Sequence, residues 1–334
     1  MKLNFCVLFF LASAFFKPAF SQTANTDSAD LEYVKNIGIT TTSFEKLLPA
    51  ITKPGITAEQ KLKLVYYWVY AHIDFDTQRF RESGPLQPLS TQETLKSGRA
   101  LCYEYNGFVD IACSYLKIPG FDIEGYVKYY GFEPGDSFTQ NNHIWHAVYI
   151  NGKWKMIDFL WGSGSLTIKG DDYKFKKGLH PSYFLALPDD FLKTHLPADP
   201  VFQFQEKPLT MAGFTAKDYN EIDNEKRGNY INYADSIKAS YKLPVADNEI
   251  KSALRAYKFN PNNADQLIIV YYNAAVKLMN NDKASKDELT KAKSYFLQDI
   301  PLIEKTPTKE LKPLLQVCNR GVASASLRLK KFKS

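Results

Sequence analysis

The sequence predicts an α+β protein in which helices lead into an antiparallel sheet and an all-helical region follows. Apolar residues recur at helical spacing before about residue 117 and again after about residue 215, whereas the period falls to two in the segment that follows "KIPG". The chain of 334 residues is long enough for two folded units. We therefore expect a mixed domain over residues 43–215 and a helical domain over residues 216–334.

The first 21 residues have the pattern of an export signal. Lys2 supplies the positive start, "NFCVLFFLASAFF" the apolar run and "AFSQ" the cleavage site, with cleavage expected between Ser21 and Gln22. The apolar run is shorter than the ~20 residues that span a bilayer, and no other stretch is long and apolar enough. We expect an exported protein, periplasmic or extracellular, without a membrane span. Residues 22–42 are polar and are expected to be loose.

Capping residues mark where the N-terminal helices begin. Thr57 is the expected N-cap of the helix in "TAEQKLKLVYYWVYAHI". Ser90 and Glu93, three positions apart, form a capping box that starts a short helix. A further helix is expected from about Cys102 until "KIPG" breaks the pattern.

A hairpin is predicted in "HIWHAVYINGKWKMIDFL", because Asn151–Gly152 is the typical sequence of a two-residue type I′ turn. This turn fixes the register outward to Trp145 opposite Asp158. Since side chains alternate between faces, His143 and Asp158 share a face as diagonal neighbours, ~7–8 Å apart at Cα. An imidazole–carboxylate hydrogen bond is then within reach, and an aspartate on an apolar face needs such a partner. His146 is expected on the opposite face, with a structural role.

Three cysteines remain once the signal is removed, and Cys102 is expected to be free. Cys102 and Cys113 lie eleven residues apart in one predicted helix, which is ~16 Å along the axis and too far for a disulfide. A Cys113–Cys318 bond remains open from the sequence. Cys102 stands where the helix begins, and the free N–H groups and the dipole there favour a thiolate. A nearby imidazole would complete an activated nucleophile.

Charge and composition argue against several functional classes. Without Lys2 and Lys17 the chain has 40 basic and 36 acidic residues, a net charge of +4 that is no nucleic-acid signature. Its histidines and cysteines show no metal-ligand spacing, so no metal and no other cofactor is expected. His195 in "KTHLPADP" is expected to be a loop histidine. Residues 253–275 look faintly like a tetratricopeptide helix pair without a second copy, so the helical region could serve an unidentified partner.

A combined motif carries a resemblance to a known family. A thiol opens a helix after "LKSGRALC", and "NHIWHAVYINGKWKMIDFLWG" follows about forty residues later. With the upstream "KLKLVYYWVYAHIDFD" and the later "YFLALPDDFLKTHLPADPVFQFQEKPLT", this pattern resembles the transglutaminase-like superfamily of papain-type thiol enzymes, in particular its kyphoscoliosis peptidase-like branch. The resemblance covers roughly residues 40–214. It implies a papain-like core in which the nucleophile helix packs on an antiparallel sheet.

The resemblance also implies the site and its reaction. Matched position by position, Cys102 is the nucleophile, His143 the base and Asp158 the orienting acid. The implied chemistry is acyl transfer through a thioester on a protein or peptide substrate. Peptide or amide hydrolysis is the expected outcome, and protein-glutamine transamidation is the alternative.

Three further residues are expected at the substrate-binding surface. Trp145 and Trp161 match aromatic positions that flank the catalytic pair and give the site its shape. Glu104 stands where the family commonly has glycine, and we expect it to restrict access of the acyl donor. If Glu104 fills the cleft, an inactive transglutaminase-like binding or scaffold protein becomes the better interpretation.

Overall fold

The computed structural model describes residues 20–82, 87–129, 131–217 and 223–332, with side chains from residue 27 onward. The predicted signal peptide therefore lies outside the described residues, except for its last two. The elements in chain order are α1 Phe20–Lys35, α2 Phe44–Ile51, α3 Ala58–His72, β1 Asp74–Phe75, α4 Thr77–Arg81, α5 Thr91–Ser97, β2 Arg99–Ala100, α6 Cys102–Leu116, β3 Gly120–Val127, β4 His143–Ile150, β5 Lys153–Ile157, α7 Phe159–Ser163, β6 Gly164–Lys169, β7 Asp172–Lys177, α8 Pro188–Phe191, β8 His195–Pro197, α9 Met211–Thr215, α10 Tyr233–Ser240, α11 Val245–Phe259, α12 Asp265–Met279, α13 Lys286–Lys305 and α14 Leu314–Lys330. Short 3₁₀ turns lie at Pro181–Tyr183, Pro200–Gln203 and Lys309–Leu311.

Helix α1 corrects the expectation of a loose segment over residues 22–42. The chain is helical until α1 ends, and Val34 is fully buried in the main core with Leu31 packed against it. The Lys63 ammonium of α3 lies 2.7 Å from the Asp27 carboxylate of α1. A mostly polar segment is ordered here because its few apolar side chains face α3 and its acids meet lysines.

The N-terminal helices form a layer around α6. The predicted N-cap of α3 is confirmed. The Thr57 hydroxyl oxygen accepts the backbone N–H of Gln60, and the Gln60 side-chain oxygen accepts the backbone N–H of Thr57. The capping box of Ser90 and Glu93 at α5 is confirmed as well. Helix α6 has α2 and α3 on one side and the sheet on the other, so its first residue, Cys102, lies where the layers meet.

The main sheet has the strand order β5-β4-β3-β8, and all neighbouring strands are antiparallel. Val148, Ile150 and Ile157 lie on one face and join the core that contains α3 and α6. Trp145 and Ala147 lie on the other face and join a second, aromatic-rich core. Both faces of the sheet are therefore covered, and a polar side chain between the layers must find a partner.

The predicted hairpin is confirmed in its turn and in its register. Asn151 and Gly152 both have positive φ, 51° and 74°, as a type I′ turn requires. The pairing continues from the turn as predicted as far as His146 opposite Ile157.

The second strand of this hairpin ends earlier than predicted. Strand β5 stops at Ile157, and Asp158 is the N-cap of α7, so residues 159–160 are helical and are not paired with β4. The physical reason is a cap: an Asp158 carboxylate oxygen accepts the N–H of Trp161 at 2.9 Å, which starts a helical turn.

Residues 163–215 contain a second hairpin that the sequence pattern did not predict. Strands β6 and β7 form a hairpin with Leu166 opposite Phe175 and Ile168 opposite Tyr173. Gly170 at its tip has φ 58°, which a glycine adopts readily. The short strand β8 then pairs with β3 and completes the main sheet.

The C-terminal helices α11 to α14 pack each against the next, and the predicted α+β fold class with a helical C-terminal region is confirmed. This region is anchored to the sheet domain by polar contacts. The Arg255 guanidinium lies 2.6 Å from the Asp199 carboxylate. The side-chain amides of Asn260 and Asn263 each donate to the Tyr126 hydroxyl at 3.0 Å.

Cys102, Cys113 and Cys318 are free, so the Cys113–Cys318 bond that the sequence left open does not form. Cys113 is buried in the core around α6, whereas Cys318 is buried between the C-terminal helices. Among the described residues, none of the helices has the length and apolar character needed to cross a bilayer.

Candidate active site

Cys102 is the first residue of α6, is partly exposed, and lines a cavity of about 730 Å³. The N–H groups in the first turn of a helix have no acceptor within the helix. They therefore place positive potential beside the sulfur and beside any carbonyl oxygen that the sulfur attacks. The backbone N–H of Cys102 is one such group.

His143 connects Cys102 to Asp158. It is the first residue of β4, and its Nε2 lies 2.5 Å from an Asp158 carboxylate oxygen, with both side chains buried. Since Nε2 is engaged, Nδ1 is the ring nitrogen left for Cys102, whose side chain is near enough to the imidazole to contribute to its raised pKa. Sulfur, imidazole and carboxylate thus form one connected chain.

Asp158 receives three hydrogen bonds from three segments of the chain. Oδ1 accepts the Trp161 N–H, and Oδ2 accepts both Nε2 of His143 and Nε2 of His195, the latter at 3.2 Å. A buried carboxylate with this many donors is held in one orientation. The aspartate is therefore both a helix cap and the group that orients the His143 ring.

His195 corrects the expectation of a loop histidine. It lies in β8, is fully buried, and its ring contacts Phe191 and Trp161 with centroids 4.2 and 4.6 Å apart. Nδ1 lies 2.7 Å from the Thr194 hydroxyl, so the hydroxyl can donate to Nδ1 while Nε2–H donates to Asp158. His195 is thus a second imidazole on the same carboxylate, and the sequence pattern did not indicate it.

The two histidines titrate in opposite directions. Burial alone would lower the pKa of His143, but the charge and hydrogen bond of Asp158, with a further contribution from Cys102, raise it to about 10. Burial lowers the pKa of His195 to about 4, although its hydrogen bond to Asp158 opposes this. Burial opposes ionisation of Asp158 as well, yet the charge of His143 and the hydrogen bonds of both rings hold its pKa far below the ordinary value. At neutral pH, His143 is an imidazolium, His195 a neutral donor and Asp158 a carboxylate.

Of the two tryptophans predicted to contact substrate, one lines the cavity and the other lies in the protein core. Trp161 lines the cavity, with its ring 6.1 Å from that of His143. Trp145 is 1% exposed and lies in the aromatic core, packed against the His195 ring, so a direct substrate contact by Trp145 is wrong. The Trp145 ring packs against the rings of both histidines and supports their positions.

Glu104 lines the cavity, but its carboxylate is tied to the wall. Its oxygens accept the N–H groups of Leu101 and Leu89, both at 2.6 Å, and a guanidinium N–H of Arg79 at 3.1 Å. A carboxylate with these three donors is held at the start of α6 and closes its first turn. Glu104 therefore does not fill the cleft.

His146 lies on the opposite face of β4, as expected. It is buried, and its Nδ1 lies 2.9 Å from the Asp122 carboxylate on the neighbouring strand. With Asp110 these two side chains form one of two groups, among the residues that the structure describes, whose ligand atoms are close enough to hold a metal ion. The other group is His143, Asp158 and His195. In that second group the three side chains already hydrogen-bond one another, so a metal would have to displace those bonds.

Comparison with known proteins supports the fold and the motif. Residues 45–159 match the family model of the transglutaminase-like superfamily, a segment that contains the thiol, the imidazole and the carboxylate. Residues 45–159 are therefore a transglutaminase-like domain. The resemblance inferred from "LKSGRALC" and "NHIWHAV" is thereby confirmed.

Curated relatives indicate the branch. The chain is 25% identical to kyphoscoliosis peptidase of Mus musculus over 170 residues, which is 51% of this chain and 25% of that protein. It is 24% identical to the Homo sapiens kyphoscoliosis peptidase over 185 residues, 55% of this chain and 28% of the relative. Hillarin of Drosophila melanogaster is 25% identical over 210 residues, 57% and 25% of the respective lengths. The chain thus spans only about a quarter of the length of these relatives.

Proposed function

We propose that the protein is an exported thiol enzyme that hydrolyses peptide or amide bonds through a thioester on Cys102. The observation that carries this proposal is the connected chain of Cys102, His143 and Asp158 at the edge of a 730 Å³ cavity. The superfamily supports thiol chemistry at this position. The N-terminal pattern of residues 1–21 supports export.

In the proposed reaction Cys102 is the nucleophile, His143 transfers the proton and Asp158 orients the His143 ring. The Cys102 thiolate attacks the substrate carbonyl carbon, and the helix-start N–H groups stabilise the oxyanion. The His143 imidazolium gives its proton to the departing amine, which leaves a thioester and a neutral ring. The ring then takes a proton from water as the water attacks the thioester, so that the acid product and the thiolate–imidazolium pair are formed. Asp158 keeps Nε2 engaged and Nδ1 turned to the sulfur throughout.

Transamidation by an amine would use the same thioester, and a scaffold role would need no turnover at all. The position of Glu104 bears on the scaffold alternative. Its carboxylate is engaged by three donors in the wall and leaves the space in front of Cys102 open. This arrangement favours a working site over a blocked one.

Thiol reactivity provides the first test. At pH 6 an ordinary cysteine is about 0.3% ionised, so a thiolate–imidazolium pair should react with iodoacetamide about 30-fold faster or more. We expect fast alkylation of Cys102 in the wild type, reduced to the rate of a small free thiol in His143→Ala. Cys113 and Cys318, both buried, serve as internal controls in the same digest.

A turnover assay with a peptide library then separates the alternatives. Release of new termini without incorporation of a labelled amine supports hydrolysis. Incorporation of the amine into glutamine side chains would replace hydrolysis with transamidation. If Cys102 reacts no faster than a small free thiol and no product forms, the enzyme proposal is wrong and the scaffold remains.

A further inference from the structure

Much of the cavity beside Cys102 is lined by apolar and aromatic side chains. Its volume, about 730 Å³, lies in the ~300–1,000 Å³ range of pockets that enclose most of a ligand's surface. Cys102, His143 and Trp161 line the part where chemistry would occur. The lining also includes the β6–β7 hairpin and residues around β1 and α4.

The β6–β7 hairpin presents an apolar face to the cavity. Leu166, Ile168 and Phe175 line it, and Leu166 and Phe175 are directly opposed in the register. Thr167 and Lys174, also directly opposed, lie on the other face of the hairpin and are exposed. Partly buried and exposed positions alternate along both strands, so one side of this ribbon forms a wall of the cavity.

Aromatic rings continue this wall toward β1. The ring of Phe175 lies 5.7 Å from Phe75, and Phe75 lies 5.1 Å from Phe80, measured between centroids. All three residues line the cavity. The hairpin is fixed to the body of the domain by Lys177, whose ammonium lies 2.9 Å from the Asp74 carboxylate.

Charged side chains at the cavity are directed into its walls. Glu104 is engaged by Arg79 and by two backbone N–H groups, and the unpaired Nη1 of Arg79 is closed off from solvent. The Lys128 ammonium donates to the Lys193 carbonyl oxygen at 2.9 Å and lies over the Phe214 ring. The apolar side chains that the β6–β7 hairpin, β1 and α4 present to the cavity therefore favour apolar groups.

We propose that this cavity receives a bulky apolar or aromatic side chain of the acyl-donor residue, the residue whose carbonyl Cys102 attacks. The substrates are then peptides with a residue such as Phe or Leu at that position, and glutamine is disfavoured. A glutamine amide on this wall would lose its hydrogen bonds to water without finding new partners. The inference rests on the proposed function, because it names the substrate of the same site.

Labelling of Cys102 with peptidyl electrophiles tests this directly. The probes share one reactive group and one peptide and differ only in the residue next to the reactive group: Phe, Leu, Gln, Glu or Lys. We expect the second-order rate for Phe or Leu to exceed the rate for Gln by at least about 10-fold. Equal rates, or a faster reaction with Gln or a charged residue, would overturn the inference while leaving the thiol enzyme intact.

A matched pair of variants on the β6–β7 hairpin tests whether its cavity side causes the preference for apolar residues. Leu166→Glu places a charge on the cavity side of β6, and Thr167→Glu places the same charge on the exposed side of the same strand. Leu166→Glu should lower the Phe-probe rate at least about 10-fold and should not lower the Lys-probe rate, because an apolar residue no longer finds an apolar wall. Thr167→Glu should leave both rates within about twofold of the wild type. Equal losses in both variants would contradict the assigned wall.

Failure of the proposed function gives a different result from failure of this inference. If no probe reacts with Cys102 faster than with a small free thiol, binding of the unreactive Phe and Gln peptides is measured by calorimetry. Tighter binding of the Phe peptide, lost in Leu166→Glu and kept in Thr167→Glu, supports the apolar site on a protein without turnover. Equal binding of the two peptides, or none of either, would overturn it.

Discussion

Mild acid is expected to destabilise the fold through His195. The ring is fully buried, and burial lowers its pKa to about 4 in the folded protein, against an ordinary value of 6.5. Between these two values the unfolded chain binds a proton that the folded chain does not, so stability falls as the pH falls. The loss begins below about pH 6.5 and is complete near pH 4.

The magnitude follows from these two pKa values. At pH 7.5 the ring is neutral in both states and the penalty is negligible. At pH 5 the unfolded imidazole is almost fully protonated and the folded one is not, which corresponds to a loss of about 2 kcal/mol. His143 acts in the opposite sense, because its pKa is raised to about 10 and its stabilisation grows as the pH falls from 10 toward 6.5. The His195 effect is therefore measured as a difference between wild type and variant.

The variant His195→Phe removes the titrating group and keeps a ring against Phe191. At pH 7.5 it should be less stable than the wild type by roughly 1.5–3 kcal/mol, because Asp158 loses one hydrogen bond to a charged group. At pH 5 that difference should shrink by about 2 kcal/mol, because only the wild type suffers the acid penalty. Urea unfolding at both pH values measures the two differences.

If the His195→Phe difference stays constant between pH 7.5 and pH 5 within about 0.5 kcal/mol, His195 is not a buried neutral donor and the assignment of its tautomer is wrong.

Three further predictions concern other parts of the structure and are tested by urea unfolding. Arg255→Met leaves the Asp199 carboxylate buried without its guanidinium and should cost roughly 3 kcal/mol, whereas Lys291→Met, at an exposed pair, should cost less than about 1 kcal/mol. Gly107→Ala in α6 meets no atom within 4 Å and should raise stability by about 0.5–1 kcal/mol; a loss would show that α6 is tighter there than described. Burial raises the pKa of Asp299 to about 8 and one of its oxygens has no partner, so stability should fall as the pH rises toward 8 and Asp299→Leu should abolish that fall; an unchanged pH profile would contradict a buried, protonated Asp299.

Local signals made the hairpin, the caps and the start of α6 predictable. The turn at Asn151–Gly152 depends only on which residues accept positive φ, and the register follows from the turn by counting. That register predicted the contact between His143 and Asp158, but it placed Asp158 in the wrong element. Asp158 reaches the ring from a helix cap just beyond β5 and not from within the strand.

The position of His195 in the site depends on strand pairing between distant segments, which the sequence pattern does not reveal. His195 lies opposite Val127 in the sheet, a partner 68 positions away, and nothing in "KTHLPADP" indicates that pairing. Without it, a histidine between threonine and leucine is equally compatible with a loop. The same pairing places the His195 ring against Trp145 and so fills the space beside that residue. The prediction of a substrate-facing Trp145 came from its match to an aromatic position of the family, whereas its ring packs against His195.

The two imidazoles share one carboxylate oxygen, and this sharing explains why their pKa values separate. Two imidazolium ions on the same side of Asp158 would repel each other at short range, so only one ring can carry the charge. His143 has Cys102 on its far side, whereas His195 has the Thr194 hydroxyl, which can donate to a neutral ring nitrogen. The charge therefore belongs on His143. The neutral His195 can hold Asp158 in place without competing for the proton that the proposed reaction moves between sulfur and substrate.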